Sequence, residues 1–280
     1  MTQTIESAGL KQLWTIELEI LDLIDEICRK NDIHYSLYAG SLLGAVRHHG
    51  YIPWDDDLDI CMSRDYYERF IIAWNKEEHP GYILQNKDNT PSFTQSFTKI
   101  RKDHTTFLQF DWEKGRYHTG IFVDVFPIDR MPDGLLRRKQ FYWDCMRYQL
   151  YMREFIPQKG SAAVRLGSKL FLKGTSAQHK VKYRKQFENK LRKYNRHSAW
   201  NTVAVETLKT CTQPQPADLL DQYTRLEFEG KEYECFLKWH DYLSNYYGDY
   251  MQLPPENERI WNHHHLLIDF EHNFEELEHE

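Results

Sequence analysis

The sequence predicts an α+β protein, with a mixed sheet flanked by helices in its first part and a mainly helical second half. Three observations carry that reading. Apolar residues between 8 and 31 recur at close to helical spacing. Short strand-like runs crowd residues 34–126, and a helical pattern rich in Arg, Lys and Tyr fills most of residues 135–209.

Taken in order, Leu10, Leu13, Trp14, Ile20, Leu21, Ile24, Ile27 and Cys28 form the apolar stripe of the first helix, which Asp32 ends. Residues 34–40 read as a short strand running into Gly40, and residues 41–50 as a second helix. A corner at Tyr51-Ile52-Pro53 leads into an extended stretch over residues 54–62. Ser63 is placed to cap a helix over residues 64–78. Strands are expected at residues 82–85, 93–101, 105–110 and 119–126, closed by Pro127 and by the turn at residues 131–134, with Asp129 in a turn or a helix cap. The helical stretch that follows softens near residues 160–176, and residues 212–216 form a loop. A hairpin turning at Glu229-Gly230-Lys231 and a helix over residues 236–247, stopped by Gly248, complete the pattern. The division expected is a catalytic core at residues 1–134 and a mainly helical region at residues 135–280 packed on it, suited to hold an acceptor.

Composition excludes several classes. With 280 residues, 41% of them hydrophobic and 15% aromatic, the chain can bury a sizeable core, and neither disorder nor a fibre fits. A net charge of −6 gives no general attraction to nucleic acid. The basic run at residues 180–196 reads as a solvated helix face, or else as a surface for an anionic polymer or membrane. Cys28, Cys61, Cys145, Cys211 and Cys235 are odd in number and form no CxxC pattern, which points to reduced thiols and a cytoplasmic location. No uncharged run approaches the ~18 apolar residues of a spanning helix, so no transmembrane segment is expected and membrane contact would be peripheral.

Chemistry concentrates in IPWDDDLDI, residues 52–60. On an extended backbone Asp55, Asp57 and Asp59 share one face, while Asp56, Leu58 and Ile60 take the other. Carboxylates at i and i+2 sit ~7 Å apart and repel by about 2 kcal/mol per pair at an effective dielectric of ~20. A divalent cation relieves that cost, and ligands that are all oxygen favour Mg²⁺, Mn²⁺ or Ca²⁺ over zinc. An EF-hand loop would need Gly and Glu where Ile60 and Tyr66 stand, which argues against it. A solvated acidic loop is the plain reading that remains. The chemical one is a D-x-D that holds a metal bridged to a nucleotide diphosphate. Such a site needs a third carboxylate, and Asp124 in GIFVDVFPID supplies one from a second strand. Set between Phe122 and Phe126, it is costly to bury unless ionically paired or bonded to backbone amides.

Gly40-Ser41 stands at a strand-to-helix junction, where free N–H groups and the helix dipole favour an anion. Arg47 on the next helix, and Lys99 and Arg101 on one face of FTKIR, are candidates to hold phosphates, Arg being suited to bidentate contact. His118 reads equally as an acid–base group and as a satisfied structural histidine. No Walker A or G-x-G-x-x-G pattern occurs. The run His263-His264-His265 has no Cys or Glu at ligand spacing, so zinc is not expected there.

Four segments, YAGSLLGAVRHHGYIPWDDDLDICMSRDYYERF, FTKIRKDHTTF, TGIFVDVFPIDRMPDG and YYGDYMQLPP, together resemble the LicD family of phosphorylcholine transferases. Fukutin and the fukutin-related protein resemble the same family. The resemblance implies a nucleotidyltransferase-like core. It also implies transfer of phosphocholine from CDP-choline, or of another group from a related CDP-activated donor, to a hydroxyl of a lipid-linked cell-surface glycan, lipopolysaccharide or teichoic acid. An acceptor of that kind would bring a cytoplasmic enzyme to the inner face of the membrane. The family's Gly-Ser falls on Gly40 and Ser41, its D-x-D on Asp57 and Asp59, its PWD aspartate on Asp55 and the aspartate of its DVFP segment on Asp124. Asp57, Asp59 and Asp124 are then the expected catalytic and metal-holding residues, with Mg²⁺ or Mn²⁺ as cofactor. Gly40, Ser41, Arg47, Trp54, Asp55, Lys99, Arg101 and His118 are expected to face the substrates. Asp124, or else Asp55, would take the proton of the acceptor hydroxyl, and Trp54 or Trp112 would hold a trimethylammonium by cation–π contact.

Two rivals are weaker. A nucleotide-sugar glycosyltransferase needs a nucleotide-binding half ahead of the motif, where only about 55 residues stand. A non-catalytic metal- or glycan-binding module would leave Lys99 and Arg101 without purpose. Residues 161–216 match nothing in the family and are the expected place of acceptor choice.

Overall fold

The computed structural model describes residues 7–154, 162–196, 202–204, 212–259 and 265–278. The chain divides into two compact units. One is drawn from Met1–Phe93, Phe97–Pro127 and Leu219–Glu280, the other from Thr94–Ser96 and Ile128–Asp218. This differs from a single boundary at residue 134, because the C-terminal hairpin returns to the first strand: Glu234 accepts from the Tyr35 N–H, and Phe236 N–H donates to Ser36 Oγ.

In the first unit, α1 (Ser7–Lys30) buries Leu13, Ile20, Leu21 and Ile24 on one stripe. Asp32, at φ 53°, reverses the chain. There follow β1 (Ser36–Leu37), α2 (Ala39–His48), β2 (Asp59–Ser63), α3 (Arg64–Trp74), β3 (Tyr82–Gln85), β4 (Thr98–Lys102), β5 (Thr106–Leu108) and β6 (Phe122–Arg130). The sheet runs in the order β1-β2-β6-β4-β3. β1 pairs antiparallel with β2, and β4 antiparallel with β3 and β6, which sets Lys99 opposite Asp124. Ser63 caps α3 as expected, its Oγ accepting from Tyr66 N–H.

Several strand boundaries differ from the sequence reading: β4 starts at Thr98 rather than residue 93, and β1 and β5 are shorter than expected; two further differences concern β2 and β6. β2 starts at Asp59, so residues 55–58 form a loop rather than strand. β1 is only two residues long and gives them no ladder to join. β6 runs on through Pro127 to Arg130, so Asp129 lies in a strand, fully buried, and accepts from Asn195 Nδ2 at 2.7 Å. Pro127 is tolerated because the partner changes there: Val125 faces Thr98 of β4, whereas Ile128 faces Ala204 of β7 (Thr202–Ala204), and no ladder bond is lost. β7 itself is strand where a helix was expected.

β8 (Tyr223–Phe228) and β9 (Lys231–Phe236) form the expected hairpin, with Glu229 and Gly230 both at positive φ in a two-residue turn. α7 (Trp239–Tyr247) ends where Gly248 donates to the Ser244 carbonyl. β10 (Leu267–Asp269) pairs with β5, and α8 (Phe274–Leu277) follows. The second unit holds α4 (Leu135–Arg153), α5 (Ala162–Lys173) and α6 (Ala177–Tyr194). Its core is Met131, Phe141, Cys145, Tyr148, Met152, Phe187 and Leu191. Cys28, Cys61, Cys145 and Cys235 are buried, and none of them is in a disulfide; Cys211, His263 and His264 lie outside the described residues. No helix among the described residues is long and apolar enough to cross a membrane.

Candidate active site

The acidic loop is fixed along its backbone. Asp55 N–H closes a turn on the Ile52 carbonyl at 2.8 Å, and Trp14 Nε1 of α1 donates to the Asp55 carbonyl at 3.0 Å. Asp124 N–H of β6 takes the Leu58 carbonyl at 3.0 Å. Ser41 Oγ accepts from Asp59 N–H at 2.8 Å, so the hydroxyl of the Gly-Ser pair anchors the start of β2.

Within this frame the carboxylates of Asp55, Asp56 and Asp57 each bring an oxygen within 4.8 Å of the others. Each pair repels by about 3 kcal/mol at an effective dielectric of ~20. Burial alternates from Asp55 to Ile60 as an extended chain predicts, with Asp56 inside. The carboxylate of Asp56 nevertheless joins its neighbours, because side chains on a loop need not obey the strand's two faces. Among the described residues Asp59 and Asp124 fall outside that mutual group. A Cβ on Gly40 would sit 2.6 Å from Asp55 Oδ2. The first turn of α2, which has no side-chain cap, therefore has a carboxylate against it.

Beneath the loop lies Glu17 of α1, 2% exposed, with Oε2 lacking a hydrogen-bond partner. Burial holds its carboxyl well above the usual range, and Asp57, Asp56 and Asp55 push the same way. Tyr51, stacked on Trp14 at 4.7 Å, hydrogen-bonds Glu17 and opposes the rise. Position 17 lies on the stripe that carries Leu13, Ile20 and Leu21, so its burial was legible in the sequence although Glu17 was not singled out. Tyr247 was missed as well. It is 40% exposed over the whole residue, yet its phenol is raised by burial, by Tyr246 and by the carboxylates of Asp55, Asp59 and Asp57.

On the neighbouring strands, Lys99 Nζ meets Asp124 Oδ1 at 2.7 Å, with both side chains nearly sealed from solvent. Burial pulls the Lys99 amine down and pushes the Asp124 carboxyl up, Asp57 adding to the latter, while the pair's mutual attraction opposes both shifts. Lys99 Nζ also sits 3.1 Å from the Phe122 ring centroid. Arg101 is buried and bonded inside the sheet, to Gln85 Oε1 at 2.8 Å and the Gly120 carbonyl at 2.6 Å. Arg47 Nη1 donates to the Tyr250 carbonyl, and burial lowers its pKa. Trp54 has Arg259 over its ring at 5.7 Å and His48 at its edge. Trp112 stacks on Phe110. His118 Nδ1 accepts from Gly120 N–H, which leaves Nε2 to donate to Asp103 or Asn273, as in a neutral structural histidine; burial lowers its pKa.

Carboxylates gathered on a strand-edge loop beside a glycine-started helix, over a sheet with a buried Lys–Asp pair, mark a domain of the nucleotidyltransferase class. The family model described as "LicD/FKTN/FKRP, nucleotidyltransferase domain" matches residues 32–158. The lipopolysaccharide cholinephosphotransferase LicD of Haemophilus influenzae is 31% identical over 268 residues, covering 91% of this chain and 96% of the relative. The chain belongs to the LicD family. An uncharacterized protein of Rickettsia prowazekii is 29% identical over 130 residues, 46% of this chain and 43% of its own length, and one of Rickettsia typhi is 44% identical over 89 residues, 30% and 29% respectively.

Proposed function

We propose that this LicD-family phosphotransferase moves phosphocholine from CDP-choline to a hydroxyl of a lipid-linked cell-surface glycan such as lipopolysaccharide. The convergence of Asp55, Asp56 and Asp57 carries the reading. The alignment of the Haemophilus cholinephosphotransferase over nearly the whole chain supports it.

Three carboxylates, with no nitrogen or sulfur donor in the group among the described residues, suit Mg²⁺, or Mn²⁺, and the same carboxylates push the pKa of Glu17 up. Asp57 belongs both to this group and to the expected D-x-D, with Asp55 and Asp56 beside it and Asp59 following on the strand. When bound, such an ion supplies charge neutralisation at the donor's diphosphate. The remaining work falls to side chains. Asp124, which burial makes a stronger base than a surface carboxylate, takes the proton of the acceptor hydroxyl. That oxygen forms a bond to the phosphorus of phosphocholine. The bond from phosphorus to the CMP oxygen, lying in line, breaks, and CMP leaves with the electron pair. Lys99 fixes the orientation of Asp124. Gly40 in the first turn of α2, with Arg47, faces the nucleotide phosphates, while the Ser41 N–H is held by the Tyr38 carbonyl, and Trp54 offers a face to the trimethylammonium. Arg101 stiffens β4, and His118 packs the sheet edge.

The test is CMP release from CDP-choline in the presence of a glycan acceptor, with and without Mg²⁺. Asp57→Asn is expected to lose activity by about 100-fold or more while its circular dichroism stays unchanged. Full activity of that variant, or activity untouched by chelation, refutes the assignment. Faster turnover of CDP-ribitol, CDP-glycerol or a UDP-sugar would move it to another donor.

A further inference from the structure

Charge is spread very unevenly along this chain. Residues 135–196 carry seventeen Lys and Arg against three Asp and Glu, whereas the whole chain carries 36 against 42. A stretch of net charge +14 thus sits inside a protein of net charge −6. Within it α5, AAVRLGSKLFLK, turns apolar side chains outward: Leu166, Leu170 and Phe171 are 60%, 64% and 54% exposed. Among the helix positions whose burial is described, Gly167, Ser168 and Leu172 are half-buried. At about 3.6 residues per turn, Leu166, Lys169, Leu170 and Lys173 fall in one outward sector. Leu135, Leu136 and Trp143 of α4 and Val181 of α6 add to the exposed apolar surface of the same unit.

Cations alone would suit any polyanion. Leucines pointing outward among those cations gain only where the anionic surface has an apolar phase beneath it. We propose that α5 is an in-plane anchor on an anionic lipid bilayer. Leu166, Leu170 and Phe171 enter the boundary between headgroups and acyl chains. Arg165, Lys169 and Lys173 extend to the lipid phosphates, their alkyl stems covering the apolar rim. The attachment is reversible, and it holds the second unit at a membrane without a spanning helix. Lipid binding and transfer chemistry rest on different residues, so each is read by its own assay.

The experiment is co-sedimentation of the full chain with sucrose-loaded vesicles, comparing mixed phosphatidylglycerol and phosphatidylcholine with pure phosphatidylcholine across a salt series. Binding is expected only to the anionic vesicles, weakening as salt rises. Lys169→Glu with Lys173→Glu is expected to weaken it by about 25-fold or more, roughly fivefold for each basic side chain lost. Leu166→Ser with Leu170→Ser is expected to weaken it about tenfold while keeping the salt slope. All four side chains are exposed, so unchanged circular dichroism and an unchanged unfolding midpoint confirm intact variants. Failure to sediment with anionic vesicles overturns the proposal, as does equal binding to pure phosphatidylcholine. Undiminished binding by the leucine variant, with dextran sulfate competing fully, overturns it in favour of a plain polyanion surface.

Discussion

Replacing Lys99 by Met tests the buried pair directly. The side chains of Lys99 and Asp124 are 6% and 11% exposed, so solvent screens their contact little. At 2.7 Å and an effective dielectric of ~20 the attraction is about 6 kcal/mol, most of it consumed by taking both charges out of water. Removing one partner forfeits the attraction and leaves the other group's cost in place. Lys99→Met should therefore lower unfolding free energy by about 3–5 kcal/mol at neutral pH. The sign with pH follows. In the variant Asp124 titrates above its unfolded value of about 3.9, so the folded state binds the extra proton. The deficit is then smallest below that value and grows as pH rises through it toward the folded pKa. A second replacement, Asp124→Leu, removes the stranded acid and should restore most of the stability of Lys99→Met, since an apolar pair of similar volume is close to neutral. Urea unfolding followed by tryptophan fluorescence at acid and neutral pH measures all three proteins. A loss below about 1 kcal/mol for Lys99→Met, or no recovery in the double variant, would refute the reasoning.

Three further outcomes follow from the site. Glu17→Gln removes a buried acid that burial and three aspartates disfavour, so the variant should be more stable than the parent by about 1 kcal/mol at pH 7, with the gain fading at acid pH where Glu17 is protonated in both states; chemical denaturation at the two pH values checks it. Gly40→Ala places a methyl 2.6 Å from Asp55 Oδ2 and must displace that carboxylate, so CMP release should fall by about tenfold or more while the unfolding midpoint hardly moves. His118 is held neutral below its ordinary pKa, so its contribution is present above about pH 6.5 and is lost as pH falls through the lowered value; the stability gap between the parent and His118→Gln should narrow over that interval in pH-dependent melts.

Much of the local structure could be read from one dimension. The stripe from Leu10 to Cys28 is periodic within a single helix, and the turn at Glu229-Gly230 needs residues that accept positive φ. Ser63 marks a helix start by its own hydroxyl. Gly40-Ser41 and the aspartates that follow lie within one short stretch of chain, so their order and spacing are a property of the string. Pro127 misled because a proline's cost in a sheet depends on which partner strand lies beside it, and that partner is elsewhere in the chain.

The sequence by itself determined which residues carry charge, which short segments are helical or extended, and that an acidic run follows the Gly-Ser pair by about fifteen residues. Only the tertiary structure decided that Asp56 turns toward Asp55 and Asp57, that Glu17 lies under them, and that Asp124 meets Lys99 across two strands. The reason is physical: periodicity specifies which face of an element is apolar, whereas the register between elements separated by tens of residues is fixed by packing, and the direction of a carboxylate on a loop by the backbone bonds that hold that loop.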